Sequence, residues 1–176
     1  KIKNNYRKMK KIKAIIFSTI LFSLVFTACH EKTTFTPKEM VDNALKQVEK
    51  VSTSDLKKML DNGDDYLLLD VRDLNEHKPG FIPGSVCLSR GTLEFNIGKK
   101  EFWEGKKLNM PEKDFPIIVY CKKGDRGILA AHTLHHLGYS NVQYLEGGFK
   151  AWELDYPKVY DRIEESHDDH AEVGGC

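Results

Sequence analysis

The chain has 176 residues, enough for one domain with a substantial hydrophobic core and short for two. Hydrophobic residues make up 40% and charged residues 30%, a balance that excludes collagen-like, disulfide-dense and multi-pass membrane proteins. The net charge of +1 is an average over unlike parts, because residues 1–28 hold seven of the 27 Lys and Arg and no acid. The remainder carries 20 basic and 26 acidic residues, which argues against nucleic-acid binding.

Residues 1–28 are predicted to form a targeting signal that starts at Met9. Several lysines precede an apolar run, residues 14–28, which is too short for a membrane-spanning helix and suits a secretion signal. Residues 26–29, Phe-Thr-Ala-Cys, resemble the lipobox of bacterial lipoproteins. This resemblance implies cleavage before Cys29, lipid on its sulfur and an extracytoplasmic domain anchored to a bacterial membrane. An ordinary cleaved signal or an uncleaved anchor is the alternative.

Beyond the signal, the chain alternates helices and strands. Residues 29–47 are predicted to be a tether and a leading helix with Pro37 in its first turn. Further helices are predicted from a cap at Ser52 or Thr53 to a stop at Asn62-Gly63, then after Cys121, and over residues 149–154. Short apolar runs predict strands at residues 66–69, 86–88, 117–120 and 142–145. This order is typical of the α/β class, with a mainly parallel sheet covered on both faces.

One cysteine has the surroundings of a nucleophile. Cys121 follows the strand at residues 117–120 and precedes a helix, at the edge of a parallel sheet where ligands bind. The backbone N–H groups of such a loop and the dipole of the next helix stabilise a thiolate. Basic side chains in the loop add positive potential for an anionic substrate. The candidate anion-binding residues are Lys122, Lys123, Gly124, Asp125 and Arg126. The alternative is a buried, inert cysteine at a strand end.

Three segments together resemble the rhodanese family of sulfurtransferases. Residues 121–126, Cys-Lys-Lys-Gly-Asp-Arg, resemble the active-site loop of that family. Residues 69–72, followed by Glu76 and by Gly-Phe-Ile-Pro-Gly-Ser at residues 80–85, resemble its upstream signature. Residues 145–152, which include Glu-Gly-Gly-Phe and a tryptophan, resemble its closing signature.

The resemblance covers about residues 48–158 and implies a five-stranded parallel sheet flanked by helices. The implied reaction moves a sulfane sulfur from thiosulfate or a related donor to a thiol or cyanide through a persulfide on Cys121. The basic side chains of the loop would position the anionic donor, and its N–H groups would hold charge on sulfur. No metal or organic cofactor is required.

Two other functions remain open. Phosphatases of the same fold have five residues between cysteine and arginine, whereas four lie between Cys121 and Arg126. A smaller ring suits a single sulfur atom better than a tetrahedral oxyanion, so phosphatase activity is the weaker alternative. The other is a module that binds or senses sulfur or metal without turnover.

Four residues outside the loop also carry predictions. Asp70 and Arg72 follow a strand end and are expected to brace the site rather than react. Arg90 has two open interpretations: its side chain reaches the mouth of the pocket, or it forms a surface salt bridge. Cys87 lies between apolar residues and is expected to be a buried, unreactive thiol.

The segment from 159 to 176 is acidic, rich in histidine and predicted to be disordered. Its histidines, carboxylates and thiol are competent metal ligands, although no metal site is assigned. Cys176 follows two glycines and is a candidate second thiol that accepts sulfur from Cys121 or forms a disulfide with it. A solvated tail without either role is the alternative.

Overall fold

A computed structural model of the protein describes residues 34–163. The predicted signal in residues 1–28, the predicted lipidation site Cys29 and the candidate second thiol Cys176 lie outside the described residues. Across residues 34–163, no helix combines the length and the apolar character needed to cross a membrane.

One sheet of five parallel strands forms the centre of the fold. The strands are β1 (Glu49–Val51), β2 (Leu67–Asp70), β3 (Val86–Cys87), β4 (Ile117–Tyr120) and β5 (Val142–Leu145). They follow the order β1-β5-β4-β2-β3 across the sheet, and every neighbouring pair is parallel. Val119 of the central strand β4 lies opposite Leu69 of β2 on one side and Tyr144 of β5 on the other. The predicted α/β class and five-stranded parallel sheet are confirmed.

Helices supply the crossovers that parallel strands require. Within the described range they are α1 (Pro37–Leu45), α2 (Thr53–Asn62), α3 (Leu74–His77), α4 (Leu93–Asn96), α5 (Lys100–Gly105), α6 (Asp125–His136) and α7 (Gly148–Asp155). A 3₁₀ turn at Arg90–Thr92 precedes α4.

The sheet is buried on both faces, which explains the uninterrupted apolar runs of β2 and β4. On one face, Val119 belongs to the same buried cluster as Ala44 of α1 and Trp103 of α5. On the other face, Ile118 shares a cluster with Leu56 of α2 and Trp152 of α7. Successive residues of one strand therefore enter opposite cores, and both cores hold the sheet edge that carries Cys121 in place.

Helix starts and ends follow the signals in the sequence. Pro37 is the first residue of α1, as predicted. Ser52 precedes α2 and its hydroxyl accepts a hydrogen bond from the N–H of Asp55 at 3.1 Å. Gly63 ends α2 in the left-handed conformation, with φ of 70°. Of the two predicted caps, the structure has Ser52, and the predicted end at Gly63 is confirmed.

Two segments differ from the prediction. Glu49–Val51 form the edge strand β1, although the sequence places them in or next to a polar leading segment; only Val51 of the three is buried, so the apolar signal is weak. The prediction of disorder from residue 159 is wrong for residues 159–163. Asp161 exchanges two backbone hydrogen bonds of 2.9 Å with Phe81. Backbone pairing of this kind leaves no apolar period in the sequence.

Candidate active site

Cys121 is the first residue after β4, at the carboxyl edge of the sheet. The residue is 2% exposed, so its thiol lies at the bottom of the loop rather than on the surface. The backbone N–H of Gly124 donates a hydrogen bond to Sγ at 3.2 Å. A backbone N–H aimed at sulfur stabilises the thiolate more than the thiol, because the charged acceptor forms the stronger bond.

Gly124 makes this turn possible. Its φ of 124° lies in a region that residues with a Cβ rarely adopt. The helix α6 begins at the next residue, Asp125, so that its amino-terminal N–H groups and positive dipole end face the loop. Asp125 itself is exposed in the first turn of α6.

The start of α7 holds the loop from the other side. The N–H of Phe149 donates to the carbonyl of Cys121 at 2.8 Å, and the N–H of Lys150 donates to the carbonyl of Lys122 at 2.9 Å. The chain can approach this closely because Gly148 has no side chain: a Cβ there would collide with the carbonyl oxygen of Cys121. The closing signature thus forms one wall of the loop.

The arginine of the loop is not free. Arg126 donates two hydrogen bonds to the carboxylate of Glu76, of 2.6 and 2.8 Å. This bidentate pair raises the pKa of Arg126 and lowers the pKa of Glu76. Arg126 was predicted to position an anionic donor. In the structure, the carboxylate of Glu76 competes with such a donor for the guanidinium. Lys122 is half-buried with Nζ 5.5 Å from the ring centre of Phe149, and Lys123 is exposed.

A buried ionic network lies beneath the loop. Asp70 and Arg72 are 0% and 1% exposed. The guanidinium donates to the carboxylate through Nε at 2.9 Å and Nη2 at 2.6 Å, and also to the carbonyl of Gly80 at 2.8 Å. Nδ1 of His77 lies 2.8 Å from the same carboxylate. Burial alone would raise the pKa of Asp70, but hydrogen bonds from His77 and Arg72 outweigh burial and hold the pKa below its ordinary value.

This network reaches the loop through Phe149. The guanidinium carbon of Arg72 lies 4.3 Å from the centre of the Phe149 ring. The backbone N–H of Phe149 donates to the carbonyl of Cys121. Asp70 and Arg72 therefore brace the loop. None of the hydrogen bonds described for them involves Sγ of Cys121.

The other two predicted residues lie outside the loop. The guanidinium of Arg90 binds Glu94 at 2.6 Å and the hydroxyl of Thr133 at 3.0 Å, so its salt-bridge interpretation is the one that the structure favours. Cys87 is half-buried rather than buried as expected, and its Sγ lies 3.7 Å from the carbonyl of Arg72. Burial raises the pKa of the Cys87 thiol, which lowers its thiolate fraction.

Three residues of the site were not assigned a role from sequence: Glu76, His77 and Tyr120. The Tyr120 hydroxyl accepts a hydrogen bond from the N–H of Ile82 at 3.2 Å and lies 2.8 Å from the hydroxyl of Ser85. It thereby ties the turn at residues 80–85 to the strand that ends at Cys121. Only the role of Glu76 had a signal in the sequence. Glu76 is acidic, Arg126 is basic, and both lie in segments that resemble signatures of the rhodanese family.

Nothing in residues 34–163 suggests a metal centre, because no three His, Cys, Asp or Glu side chains come together as candidate ligands. The candidate site consists of a cysteine, backbone N–H groups and basic side chains.

A parallel sheet with a cysteine loop at its carboxyl edge defines a known class of α/β proteins. The family model described as Rhodanese-like domain matches residues 52–155. The chain therefore belongs to the rhodanese-like domain family.

Individual relatives carry different descriptions. Thiosulfate sulfurtransferase GlpE of Pseudoalteromonas translucida is 33% identical over 112 residues, which cover 64% of this chain and 95% of that protein. The structure of human single-domain sulfurtransferase TSTD1 is similar, with a TM-score of 0.57 and 26% sequence identity. The match covers 62% of this chain and 97% of TSTD1. The structure of a protein of unknown function from Rhodopseudomonas palustris, described as a possible tyrosine phosphatase, is also similar, with a TM-score of 0.59 and 32% sequence identity. The match covers 71% of this chain and 94% of that protein.

Proposed function

We propose that this protein is a sulfurtransferase that moves a sulfane sulfur from thiosulfate, or a related anionic donor, to a thiol or cyanide. A relative whose match covers 64% of the chain carries the name thiosulfate sulfurtransferase. The observation on which the proposal chiefly depends is the hydrogen bond of 3.2 Å from Gly124 N–H to Cys121 Sγ. It places an anion-stabilising group on the one thiol that lies at the carboxyl edge of the central strand.

The reaction has two steps. In the first, the Cys121 thiolate attacks the outer sulfur of thiosulfate, the sulfur–sulfur bond of the donor breaks, and sulfite leaves with the bonding electrons. The negative charge then lies on the outer sulfur of the persulfide, where the N–H groups of the loop and the dipole of α6 stabilise it. In the second step, an acceptor thiolate or cyanide takes that sulfur, and the Cys121 thiolate is restored.

The donor binds a site whose basic side chains differ in availability. Lys122 and Lys123 have no hydrogen-bonding partner for their ammonium groups among the described residues, whereas Arg126 is held by Glu76. We therefore expect the donor to bind Lys122 and Lys123 first. The donor can bind Arg126 only if the guanidinium contacts the donor and the Glu76 carboxylate at the same time.

Phosphatase activity is the second candidate, because one relative is described as a possible tyrosine phosphatase. Four residues separate Cys121 from Arg126, a ring that suits one sulfur atom better than a phosphoryl group. A sulfurtransferase is therefore the better interpretation.

The location proposed for the domain is the outer side of a bacterial membrane, with lipid attached to Cys29. The support is the sequence: lysines, an apolar run at residues 14–28 and a small residue before the cysteine. Replacement Cys29→Ala should release the protein from membranes or block its processing. Unchanged processing and membrane association would contradict this location.

The experiment that tests the activity compares three forms of the full chain: wild type, Cys121→Ser and Cys87→Ser. Thiosulfate and cyanide are supplied, and thiocyanate is measured at steady state. We expect turnover in the wild type and in Cys87→Ser, and at least a 10³-fold loss in Cys121→Ser, about the scale expected when a covalent nucleophile is removed. Uptake of one sulfur without turnover would instead support a binding module.

A further inference from the structure

The chain continues past α7 in a short segment that lies against the domain. We call residues 156–163 the strap; they lie beyond the part of the chain that the family model matches. Asp161 exchanges two backbone hydrogen bonds of 2.9 Å with Phe81. The N–H of Ile163 donates to the carbonyl of Lys78 at 3.0 Å. One side of the strap is therefore fixed to the segment that follows α3.

A second set of contacts fixes the strap to α7. The indole N–H of Trp152 donates to the carbonyl of Val159 at 2.6 Å. Val159 and Tyr160 are half-buried and pack against the core cluster that contains Trp152 and Phe149. Because the strap is bound on both sides, the side chain of Tyr160 has a defined position against α7.

Tyr160 contacts the aromatic ring beside the Cys121 loop. The rings of Tyr160 and Phe149 meet edge-on, with centres 6.1 Å apart and an interplanar angle of 83°. This geometry is attractive because the edge of an aromatic ring is positive and its face is negative. Gly80 leaves room for the pair, since a Cβ there would lie 3.2 Å from an atom of each ring. The contact with Tyr160 therefore fixes the position of the Phe149 ring.

The Phe149 ring in turn supports two positive groups of the site. The guanidinium carbon of Arg72 lies 4.3 Å from the ring centre, and Nζ of Lys122 lies 5.5 Å from it. The N–H of Phe149 also donates to the carbonyl of Cys121 at 2.8 Å. A shift of this ring would therefore disturb both the loop backbone and the ammonium group that is expected to bind the donor.

We propose that Tyr160 is a positioning residue for the loading of sulfur onto Cys121. It acts through Phe149, whose ring holds the Lys122 ammonium group where the anionic donor binds. This inference rests on the proposed sulfurtransferase function and adds a residue to that site. The Tyr160 hydroxyl accepts a hydrogen bond of 2.7 Å from the exposed Arg162, away from the loop, so the positioning role belongs to the ring.

The experiment measures sulfur loading in the full chain. Thiosulfate is added in excess to reduced protein, the reaction is stopped by alkylation at successive times, and persulfide on Cys121 is measured by mass spectrometry. Tyr160→Leu keeps an apolar side chain in the core and removes the ring. We expect it to lower the second-order rate constant of loading by about three- to tenfold, the range that loss of one aromatic contact produces. Tyr160→Phe keeps the ring and should restore the wild-type rate.

Tyr156→Leu is the matched control, because it removes another half-buried tyrosine of the strap. The Tyr156 ring packs on Trp152, with centres 4.8 Å apart. Both leucine variants should lose stability in urea unfolding, but Tyr156→Leu should load sulfur at the wild-type rate. Equal slowing in the two leucine variants would show a general loss of stability and overturn the role of Tyr160. A wild-type rate in Tyr160→Leu, or a slow rate in Tyr160→Phe, would overturn it as well.

Hydrogen–deuterium exchange separates this inference from the proposed function. Exchange is measured by mass spectrometry in the peptide that contains Phe149 and Lys150, whose N–H groups bind the loop. These amides should exchange about three- to tenfold faster in Tyr160→Leu than in the wild type or in Tyr156→Leu. Unchanged exchange in Tyr160→Leu overturns the positioning role alone. Absence of sulfur loading in the wild type contradicts the proposed function itself.

Discussion

Replacement of Asp70 by Asn gives the sharpest test of the network beneath the loop. The carboxylate is fully buried and accepts hydrogen bonds from the backbone N–H and the guanidinium of Arg72, at distances between 2.6 and 3.0 Å. The amide of Asn removes the negative charge and presents N–H groups to a group that only donates. Because the guanidinium would stay buried without its counter-charge, we expect a loss of about 3–5 kcal/mol in the free energy of unfolding.

Urea unfolding followed by circular dichroism measures this loss. For a domain of this size it corresponds to a decrease in Tm of about 10–20 °C. The matched control is Asp42→Asn, which breaks an exposed pair with Lys38 on α1 and should change the free energy by less than about 0.5 kcal/mol. If Asp70→Asn were as stable as the control, the buried pair would not support the loop as described.

The same residue sets a pH dependence. Hydrogen bonds from His77 and Arg72 outweigh burial, so the pKa of Asp70 is lower in the folded protein than in the unfolded chain. Its stabilising contribution is therefore complete above the ordinary carboxyl pKa of about 4 and is lost as the pH falls through the folded value. Wild-type stability should decrease more steeply than that of Asp70→Asn below about pH 4.

Three other changes test separate parts of the site. Gly148→Ala places a methyl group against the carbonyl of Cys121 and should abolish persulfide formation, as measured by mass spectrometry after thiosulfate treatment. Glu76→Gln removes a half-exposed partner of Arg126 and should lower the free energy of unfolding in urea by no more than about 1 kcal/mol at pH 7. Arg126 lowers the pKa of Glu76, so the difference from wild type should be smaller at a pH low enough to protonate Glu76. Tyr120→Phe leaves a buried N–H without its acceptor and should lower the free energy of unfolding by about 1–3 kcal/mol. An unaltered persulfide yield in Gly148→Ala, or unchanged stability in Tyr120→Phe, would contradict the contacts described.

Much of the fold could be predicted because its signals are local. The run Ile117–Tyr120 is apolar at every position because both faces of β4 are buried, and it marks the strand without further information. Ser52 and Gly63 bound α2 through their own backbone preferences. The position of Cys121 at the edge of the sheet followed from the strand and helix on either side of it.

The missing parts depend on contacts between distant residues. β1 is a strand because it pairs with β5, although it has one buried side chain. The pair between Glu76 and Arg126 joins residues 50 positions apart, and either could equally have bound a substrate or solvent. Segment 159–163 is held by backbone hydrogen bonds with Phe81 and Lys78 and by packing of Val159 and Tyr160 on the core, all contacts with residues distant in sequence.

The two hydrogen bonds from the start of α7 to the loop have a consequence for the order in which the site forms. Cys121 precedes Phe149 and Lys150 by almost thirty positions, and β5 and the glycine pair lie between them. A growing chain that ends before α7 contains the cysteine and the basic residues of its loop but lacks the wall that holds the loop. Until residues 149 and 150 are present, the carbonyls of Cys121 and Lys122 lack the two N–H groups that bind them in the folded protein. The loop of Cys121 is therefore complete only after residue 150 has joined the fold.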